Sequence, residues 1–185
     1  KAIAVVPDFA EAQNNLGDAL MVEENFEEAI ACYESVLKSH PDEPKVLTTL
    51  GVAFASMGKR KDAIVHFRHA LEIKLEDPVI LVNLGIALQK DGKSEEAINV
   101  FKRALAADPD FVEAHYNLAV AYHDQKRPDD AIASYHKALA IKPDYAEVHN
   151  NLGTVLKNLG KLDEAVASYH KALAIKPDYA DAGRN

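Results

Sequence analysis

The sequence predicts an all-α protein built as an α-solenoid, in which units of two helices stack in a row. Apolar residues recur at helical spacing along the chain, the same residue types return every 34 residues, and the segments 133–146 and 167–180 are identical. Sequence periods of roughly 20–50 residues are typical of solenoid proteins. A single helix pair cannot bury both of its apolar faces, so each unit must pack against its neighbours.

The elements of one unit follow from its apolar positions. In the last unit, Leu152 and Val155 belong to the apolar stripe of a first helix, and Val166 and Tyr169 belong to that of a second helix. Gly160 lies between the two stripes, where a helix end is expected. Proline then ends the second helix, and the acidic residue after it is expected to accept the free amides of the next helix. These prolines are Pro7, Pro41, Pro109, Pro143 and Pro177.

Small and aromatic residues occupy fixed columns of the period. A leucine is followed by a residue with little or no side chain, and an alanine and an aromatic ring follow in the second helix. The small residues are Gly17, Gly51, Gly85, Ala119 and Gly153, and the rings are Tyr33, Phe67, Phe101, Tyr135 and Tyr169. Small residues allow two helices to approach closely, and the ring fills the space between neighbouring pairs.

This period divides the chain into repeats. The complete units are 10–43, 44–77, 78–111, 112–145 and 146–179. Residues 1–9 are predicted to be the end of a preceding second helix, and residues 180–185 the start of a truncated repeat.

The columns resemble the tetratricopeptide-repeat (TPR) family over essentially the whole chain. The tryptophan that the family usually carries early in the first helix is absent, and Gln13, Leu47, Leu81, His115 and His149 stand in its place. The resemblance implies a right-handed superhelix whose first helices line a concave groove. It also implies a scaffold that binds a peptide or protein segment in that groove.

Two sets of residues are expected to face the groove. The first is a column of amides interrupted by a threonine: Asn15, Thr49, Asn83, Asn117 and Asn151. A primary amide both donates and accepts, so such a row can hold a peptide backbone of any sequence. It is similar to the asparagine ladder of the TPR superhelix in O-linked N-acetylglucosamine transferase. The alternative is that asparagine is simply common at this solvated position.

The second set is apolar and lies near the middle of the predicted groove. Its members are Val52, Val79, Val82, Ile86, Tyr116 and Val120. Exposed apolar clusters often mark binding sites. The alternative is that these residues pack across tight superhelical turns or against an adjacent repeat.

The sequence offers no candidate for catalysis or for cofactor binding. It contains no glycine-rich phosphate loop, nucleophile turn or paired-carboxylate motif. His66 and His69 are close enough on one helix to share a metal, but no third ligand is placed beside them, so no metal site is predicted. The chain is therefore not expected to be an enzyme. The alternative function is the substrate-recognition arm of a larger enzyme such as a glycosyltransferase.

Charge and composition narrow the choice of partners. The net charge of −8 argues against nucleic acid, and no apolar run is long enough for membrane insertion. The single Cys32 fits a reducing compartment, so the cytoplasm is favoured and the periplasm is the alternative. The last second helix, with Tyr169, Ala172, Leu173 and Ile175, is expected to leave an apolar face uncovered. End-to-end self-association is the predicted consequence.

Overall fold

The computed structural model describes residues 7–178, and this part of the chain contains ten α-helices joined by short turns. They are α1 (Pro7–Val22), α2 (Phe26–Ser39), α3 (Pro44–Ser56), α4 (Arg60–Ile73), α5 (Pro78–Lys90), α6 (Ser94–Ala107), α7 (Val112–Asp124), α8 (Pro128–Ile141), α9 (Ala146–Asn158) and α10 (Leu162–Ile175). The first helices from α3 onward begin at residues 44, 78, 112 and 146, which preserves the 34-residue period. The predicted all-α fold of two-helix repeats is confirmed.

The helices belong to two compact units. Unit 1 is Lys1–Lys93 and contains α1 to α5, whereas unit 2 is Ser94–Asn185 and contains α6 to α10. Within each unit every helix packs on the next one along the chain, and consecutive first helices also touch, α3 against α5 and α7 against α9. This packing is the helix–turn–helix stacking that the sequence period predicts. No helix within residues 7–178 has the length and apolar character that crossing a bilayer requires.

The N-terminal boundary differs from the prediction. Residues 7–9 are helical and continuous with the rest of α1, so they belong to the first helix of unit 1 and not to the end of a preceding second helix. Helices α3, α5 and α8 begin with proline. Proline fits the first turn of a helix because the N–H that it lacks would have no partner there. The expectations for residues 1–6 and 180–185 fall outside the described residues.

The aromatic column forms the core of the repeats. Tyr33, Phe67, Phe101, Tyr135 and Tyr169 are all buried. In three repeats, the ring lies directly over the glycine of the first helix. A Cβ atom added to Gly51 would lie 2.6 Å from Cε1 of Phe67, and one added to Gly17 or Gly153 would lie 2.7 Å from a tyrosine ring carbon. The small residues therefore make room for the rings, as the columns predict.

Two histidines replace the tryptophan of the family. His115 and His149 are buried, and their Nε2 atoms lie 2.9 Å and 2.8 Å from the carbonyl oxygens of Pro109 and Pro143. A carbonyl oxygen can only accept, so each Nε2 donates its hydrogen. These bonds fasten the first helices α7 and α9 to the loops that precede them. Both histidines are thus structural.

Helix capping does not follow the predicted acidic column. Asp77, which directly precedes α5, accepts hydrogen bonds at Oδ1 from the amides of Val79 and Ile80, both at 3.0 Å. Its Oδ2 pairs with Nζ of Lys74 at 2.6 Å. The residue before Asp77, Glu76, stands in the column that was expected to cap and has a positive φ of 54°. The capping position is therefore one residue later, where the backbone has already turned to an extended conformation.

Replacing Asp77 by alanine should lower the free energy of unfolding by about 1 kcal/mol at neutral pH, because α5 loses its cap. Partial burial alone would raise the pKa of Asp77, but Lys74 and the amides of Ile80 and Val79 hold it below its ordinary value. A depressed pKa stabilises the fold above the unfolded value of about 4, and this contribution is lost as pH falls through the folded pKa. Urea titrations at neutral pH and near pH 2 measure the difference.

Asp77→Asn is the matched control for this experiment. Asparagine keeps the capping acceptor but cannot titrate, so its stability relative to Asp77→Ala should be nearly independent of pH. If the deficit of Asp77→Ala relative to the wild type were the same at both pH values, the ion pair and cap would not be responsible for it.

Candidate functional site

The predicted binding residues lie on the first helices of both units. We call these positions the first-helix face. In unit 1 it comprises Asn15, Thr49, Val52, Val79, Val82, Asn83 and Ile86, and in unit 2 it comprises Tyr116, Asn117, Val120 and Asn151. Because α3 touches α5 and α7 touches α9, consecutive members of a column lie on neighbouring helices within these units.

The amides of unit 1 are available to a ligand. Asn15 is exposed and Asn83 is half-buried, and neither side chain has a hydrogen-bond partner within the described part of the chain. Thr49, between them in the column, turns its hydroxyl back and donates to the carbonyl of Lys45 at 3.0 Å. Unit 1 therefore presents two amides whose donors and acceptors are both unused.

The amides of unit 2 are partly engaged. Asn117 donates from Nδ2 to the carbonyl of Glu113 at 2.7 Å, which leaves its oxygen for other donors. Asn151 donates from Nδ2 to the hydroxyl oxygen of Tyr116 at 3.1 Å and accepts at Oδ1 from Asn150 at 3.3 Å. The column is thus not a uniform row of free amides, because the side chains around it differ between the units.

The apolar set is only partly exposed. Val79 is 53% exposed, and Val52, Ile86 and Val120 are half-buried. Val82 is only 6% exposed, so its expected place in an exposed patch is wrong. Helix α5 packs against both α3 and α4. Because the side chain of Val82 is short, this packing covers it. The longer Tyr116, at the equivalent position of α7, stays half-buried.

Unit 2 brings three tyrosines together around Asn151. The ring of Tyr116 stacks on that of Tyr145, with centroids 5.5 Å apart, and is tilted against that of Tyr135 at 6.4 Å. We call Tyr116, Tyr135, Tyr145, Asn150 and Asn151 the Tyr–Asn cluster. The repeat pattern assigned Tyr135 to packing alone and gave Tyr145 no role. The column of Tyr145 also contains Phe9 and Phe111, so an aromatic residue at this position was not a distinguishing signal in the sequence.

The hydroxyls of Tyr116 and Tyr135 remain protonated at neutral pH. Burial raises the pKa of Tyr116, and the negative charge of Glu147 raises it further, against the opposing effect of the Asn151 amide. Burial and the neighbouring Tyr116 likewise raise the pKa of Tyr135. The hydroxyl oxygen of Tyr116 accepts from Asn151, while its hydrogen has no acceptor among the described residues. Tyr116 is therefore a hydrogen-bond donor that the fold leaves unused.

Unit 1 has a different polar contact at its first repeat. The hydroxyl of Tyr33 donates to Oδ1 of Asp18 at 2.7 Å, and burial followed by this bond raises the pKa of Tyr33. Asn14 donates weakly to the other oxygen of Asp18 at 3.5 Å. Asp18 is thus engaged with the core ring of its own repeat, and both of its carboxylate oxygens already accept a hydrogen bond.

The histidine pair shows no metal-binding arrangement. The ring of His66 stacks on Phe54 at 5.3 Å, and Nε2 of His69 lies 3.4 Å from Asp42. Within residues 7–178 no group of three or more potential ligands converges on one point. The two histidines therefore contact different neighbours.

A cleft in unit 2 lies away from the first-helix face. It is a space of about 770 Å³ between α8, α9 and α10, and its lining includes His136, Leu152, Leu156 and Lys171. None of the residues of the first-helix face belongs to this lining.

The apolar end of α10 also differs from expectation. Tyr169 and Ala172 are buried at 7% and 0% exposure, so they are not available for self-association. Of the other two predicted residues, Leu173 is half-buried and Ile175 is 37% exposed, and Leu162 and Val166 are exposed as well, at 61% and 52%. Both buried residues face the core of their own repeat. The repeat pattern did not show which side of α10 faces this core and which side is exposed. Self-association through α10 stays a prediction.

The repeats and the first-helix face define an all-α repeat protein of the scaffold class. Three family models, all described as tetratricopeptide repeat, match residues 8–76, 82–146 and 146–179. The chain is built of tetratricopeptide repeats. A comparison with curated proteins finds no match.

Solved structures share this fold. MamA is 27% identical in sequence with a TM-score of 0.78, and the match covers 95% of this chain and 96% of MamA. PilF of Pseudomonas aeruginosa is 21% identical with a TM-score of 0.84, covering 95% of this chain and 80% of PilF. YrrB, described as a TPR protein with an unusual peptide-binding site, is 21% identical with a TM-score of 0.73, covering 93% and 89%. The fold and these neighbours support a protein-interaction scaffold, and they offer no support for the arm of a glycosyltransferase.

Proposed function

We propose that each unit binds an extended peptide segment of a partner protein along its own residues of the first-helix face. The observation that carries this proposal is the set of hydrogen-bonding groups that the fold leaves unused on this face. They are the amides of Asn15 and Asn83 in unit 1 and, in unit 2, the oxygen of Asn117 and the hydroxyl hydrogen of Tyr116. The exposed Val79 provides apolar surface beside them.

The chemistry of these groups suits a peptide backbone. An amide pairs with a backbone N–H and C=O together, so recognition does not require a particular side chain. Neighbouring packed helices are about 8–10 Å apart, and an extended peptide advances about 3.3 Å per residue. One first helix therefore corresponds to about three peptide residues. Asn15 and Asn83 lie two first helices apart in unit 1 and would contact residues about six positions apart.

Related proteins provide a precedent for this function. YrrB has the same fold and is described as having an unusual peptide-binding site. Asn83 and Asn117 are both half-buried. A hydrogen bond from a partly desolvated amide to a ligand is stronger than one from a fully hydrated amide, and this supports the proposal as well. An O-linked N-acetylglucosamine transferase-like ladder remains the proposed arrangement for unit 1, where the amides are free.

Selection from a displayed library of random 12-residue peptides on the wild-type protein tests this function. Synthetic copies of the selected peptides should bind with affinities that calorimetry can measure. Asn83→Ala should weaken binding by about 5- to 30-fold, because a ligand loses one or two hydrogen bonds worth about 1 kcal/mol each. Asn117→Ala should weaken it by about 5-fold, since only its oxygen is unused.

Asn99→Ala is the matched control, because Asn99 is an exposed asparagine on the second helix α6. It should bind every selected peptide as the wild type does. Val79→Ser tests the apolar surface at an exposed position. A polar substitution at Val82 would not be a clean test, because it would place a polar group in the buried core. Selection without any binder, or equal affinities of the wild type, Asn83→Ala and Asn117→Ala, would refute the first-helix face as the binding site.

A further inference from the structure

The Tyr–Asn cluster of unit 2 contains a hydroxyl donor without a partner. The hydroxyl oxygen of Tyr116 accepts from Asn151, and Oδ1 of Asn151 accepts from Asn150. The hydroxyl hydrogen of Tyr116 has no acceptor within the described residues. A ligand at this point therefore meets a donor, beside two oxygens that each already accept one hydrogen bond.

The surroundings of this donor are aromatic. Tyr116 of α7 and Tyr145, directly before α9, are both half-buried, and their rings stack on each other. Nζ of Lys142 lies 4.6 Å from the centroid of the Tyr145 ring. A cationic ligand would have to displace this lysine, so the cluster does not favour one. A neutral, apolar group that offers only acceptors fits it best.

We propose that the Tyr–Asn cluster binds a proline of the partner peptide, an inference that rests on the proposed function. An ordinary residue would bring a backbone N–H beside oxygens that already accept from Asn150 and Asn151, so it could bond only to a remaining lone pair, and an unsatisfied N–H weakens binding. Proline has no N–H, and the carbonyl before it accepts the hydroxyl hydrogen of Tyr116. Its ring lies against the edges of Tyr116 and Tyr145, as proline-rich segments do in aromatic-lined grooves.

Unit 1 lacks the same combination. The repeat positions of Tyr116 are occupied there by Asn14, Thr48 and Val82, and those of Tyr145 by Phe9, Glu43 and Asp77, so unit 1 has no tyrosine at either position. The preference for proline therefore belongs to unit 2. The free amides of unit 1 would accept other residues, because they pair with N–H and C=O alike.

Two capped eight-residue peptides test the proposal, octaproline and an alternating glycine–serine peptide. Octaproline presents only carbonyl acceptors, whereas the glycine–serine peptide presents an N–H at every residue. By nuclear magnetic resonance titration, octaproline should bind at least about 10-fold more tightly and should perturb amides of α7 and the start of α9. Tyr116→Phe, which removes the hydroxyl and keeps the ring, should weaken octaproline binding about 5-fold.

Tyr33→Phe is the control, because it removes a tyrosine hydroxyl in unit 1 outside the cluster. It should leave octaproline binding unchanged. Equal affinity for the two peptides, or unchanged octaproline binding by Tyr116→Phe, overturns the proline proposal. If library-selected peptides still depend on Asn83 in that case, peptide binding itself stands. If no library peptide binds, the proposed function fails together with the proline preference.

Discussion

Replacing Phe67 by alanine should lower the free energy of unfolding by about 3–5 kcal/mol, the cost of deleting a buried aromatic side chain. The ring is 1% exposed and fills the space over Gly51 between α3 and α4. The loss is a large fraction of the stability of a typical domain, about 5–15 kcal/mol. Denaturant titration followed by circular dichroism measures it.

A control residue lies on the same helix. Val65 is 63% exposed, so Val65→Ala should change the free energy of unfolding by less than about 0.5 kcal/mol. Because repeats interact mainly with their neighbours, Phe67→Ala should also increase amide hydrogen exchange most strongly in α3 and α4. A loss for Phe67→Ala no larger than that for Val65→Ala would show that the ring column does not form the core.

Gly51→Val is expected to have the second-largest effect, a loss of about 2–3 kcal/mol. A Cβ on residue 51 would lie 2.6 Å from Cε1 of Phe67 and 2.9 Å from its Cδ1, so the buried ring or the helix must move. A β-branched side chain adds two further methyl groups in the same direction. Denaturant titration again provides the measurement, and the ring signals of Phe67 in nuclear magnetic resonance spectra should shift.

Two further variants examine the cause of this loss. Gly51→Ala should cost less than Gly51→Val, since Ala119 occupies the equivalent place in unit 2 and alanine favours helix by about 1 kcal/mol over glycine. The double variant Gly51→Val with Phe67→Leu should be more stable than additivity predicts, because the smaller side chain relieves the overlap. Strict additivity would show that valine acts elsewhere.

The ring column also influences which residues the first-helix face offers to a ligand. Tyr33 donates to Asp18, and the hydroxyl of Tyr169 lies 3.3 Å from that of Thr154, in the same column of the first helices. Val52 holds this column position in the repeat of Phe67, a ring without a hydroxyl. A polar residue in this column can therefore serve the core of its own repeat. For this reason, a sequence pattern of groove-facing polar residues overestimates how many of these residues are free to bind a ligand.

The helices were predictable from the sequence because their causes are local and recur every 34 residues. The starts of α3, α5, α7 and α9 coincide with the predicted repeat boundaries at 44, 78, 112 and 146. The helical conformation of residues 7–9 within α1 was missed, since the proline column was interpreted only as a helix end. The cap at Asp77 was placed one residue too early for a similar reason: the conformation of a single turn residue is not visible in a repeat pattern.

The repeat fold and the pairing of small residues with rings thus followed from the sequence alone, because each depends on residue size at fixed spacing. Only the tertiary structure revealed that Val82 is covered while Val79 is exposed, and that Asn151 is bonded to Tyr116, 35 residues away in the chain. Whether a polar group is free for a ligand depends on which side chains of neighbouring helices reach it. Those distances arise only when the helices pack together.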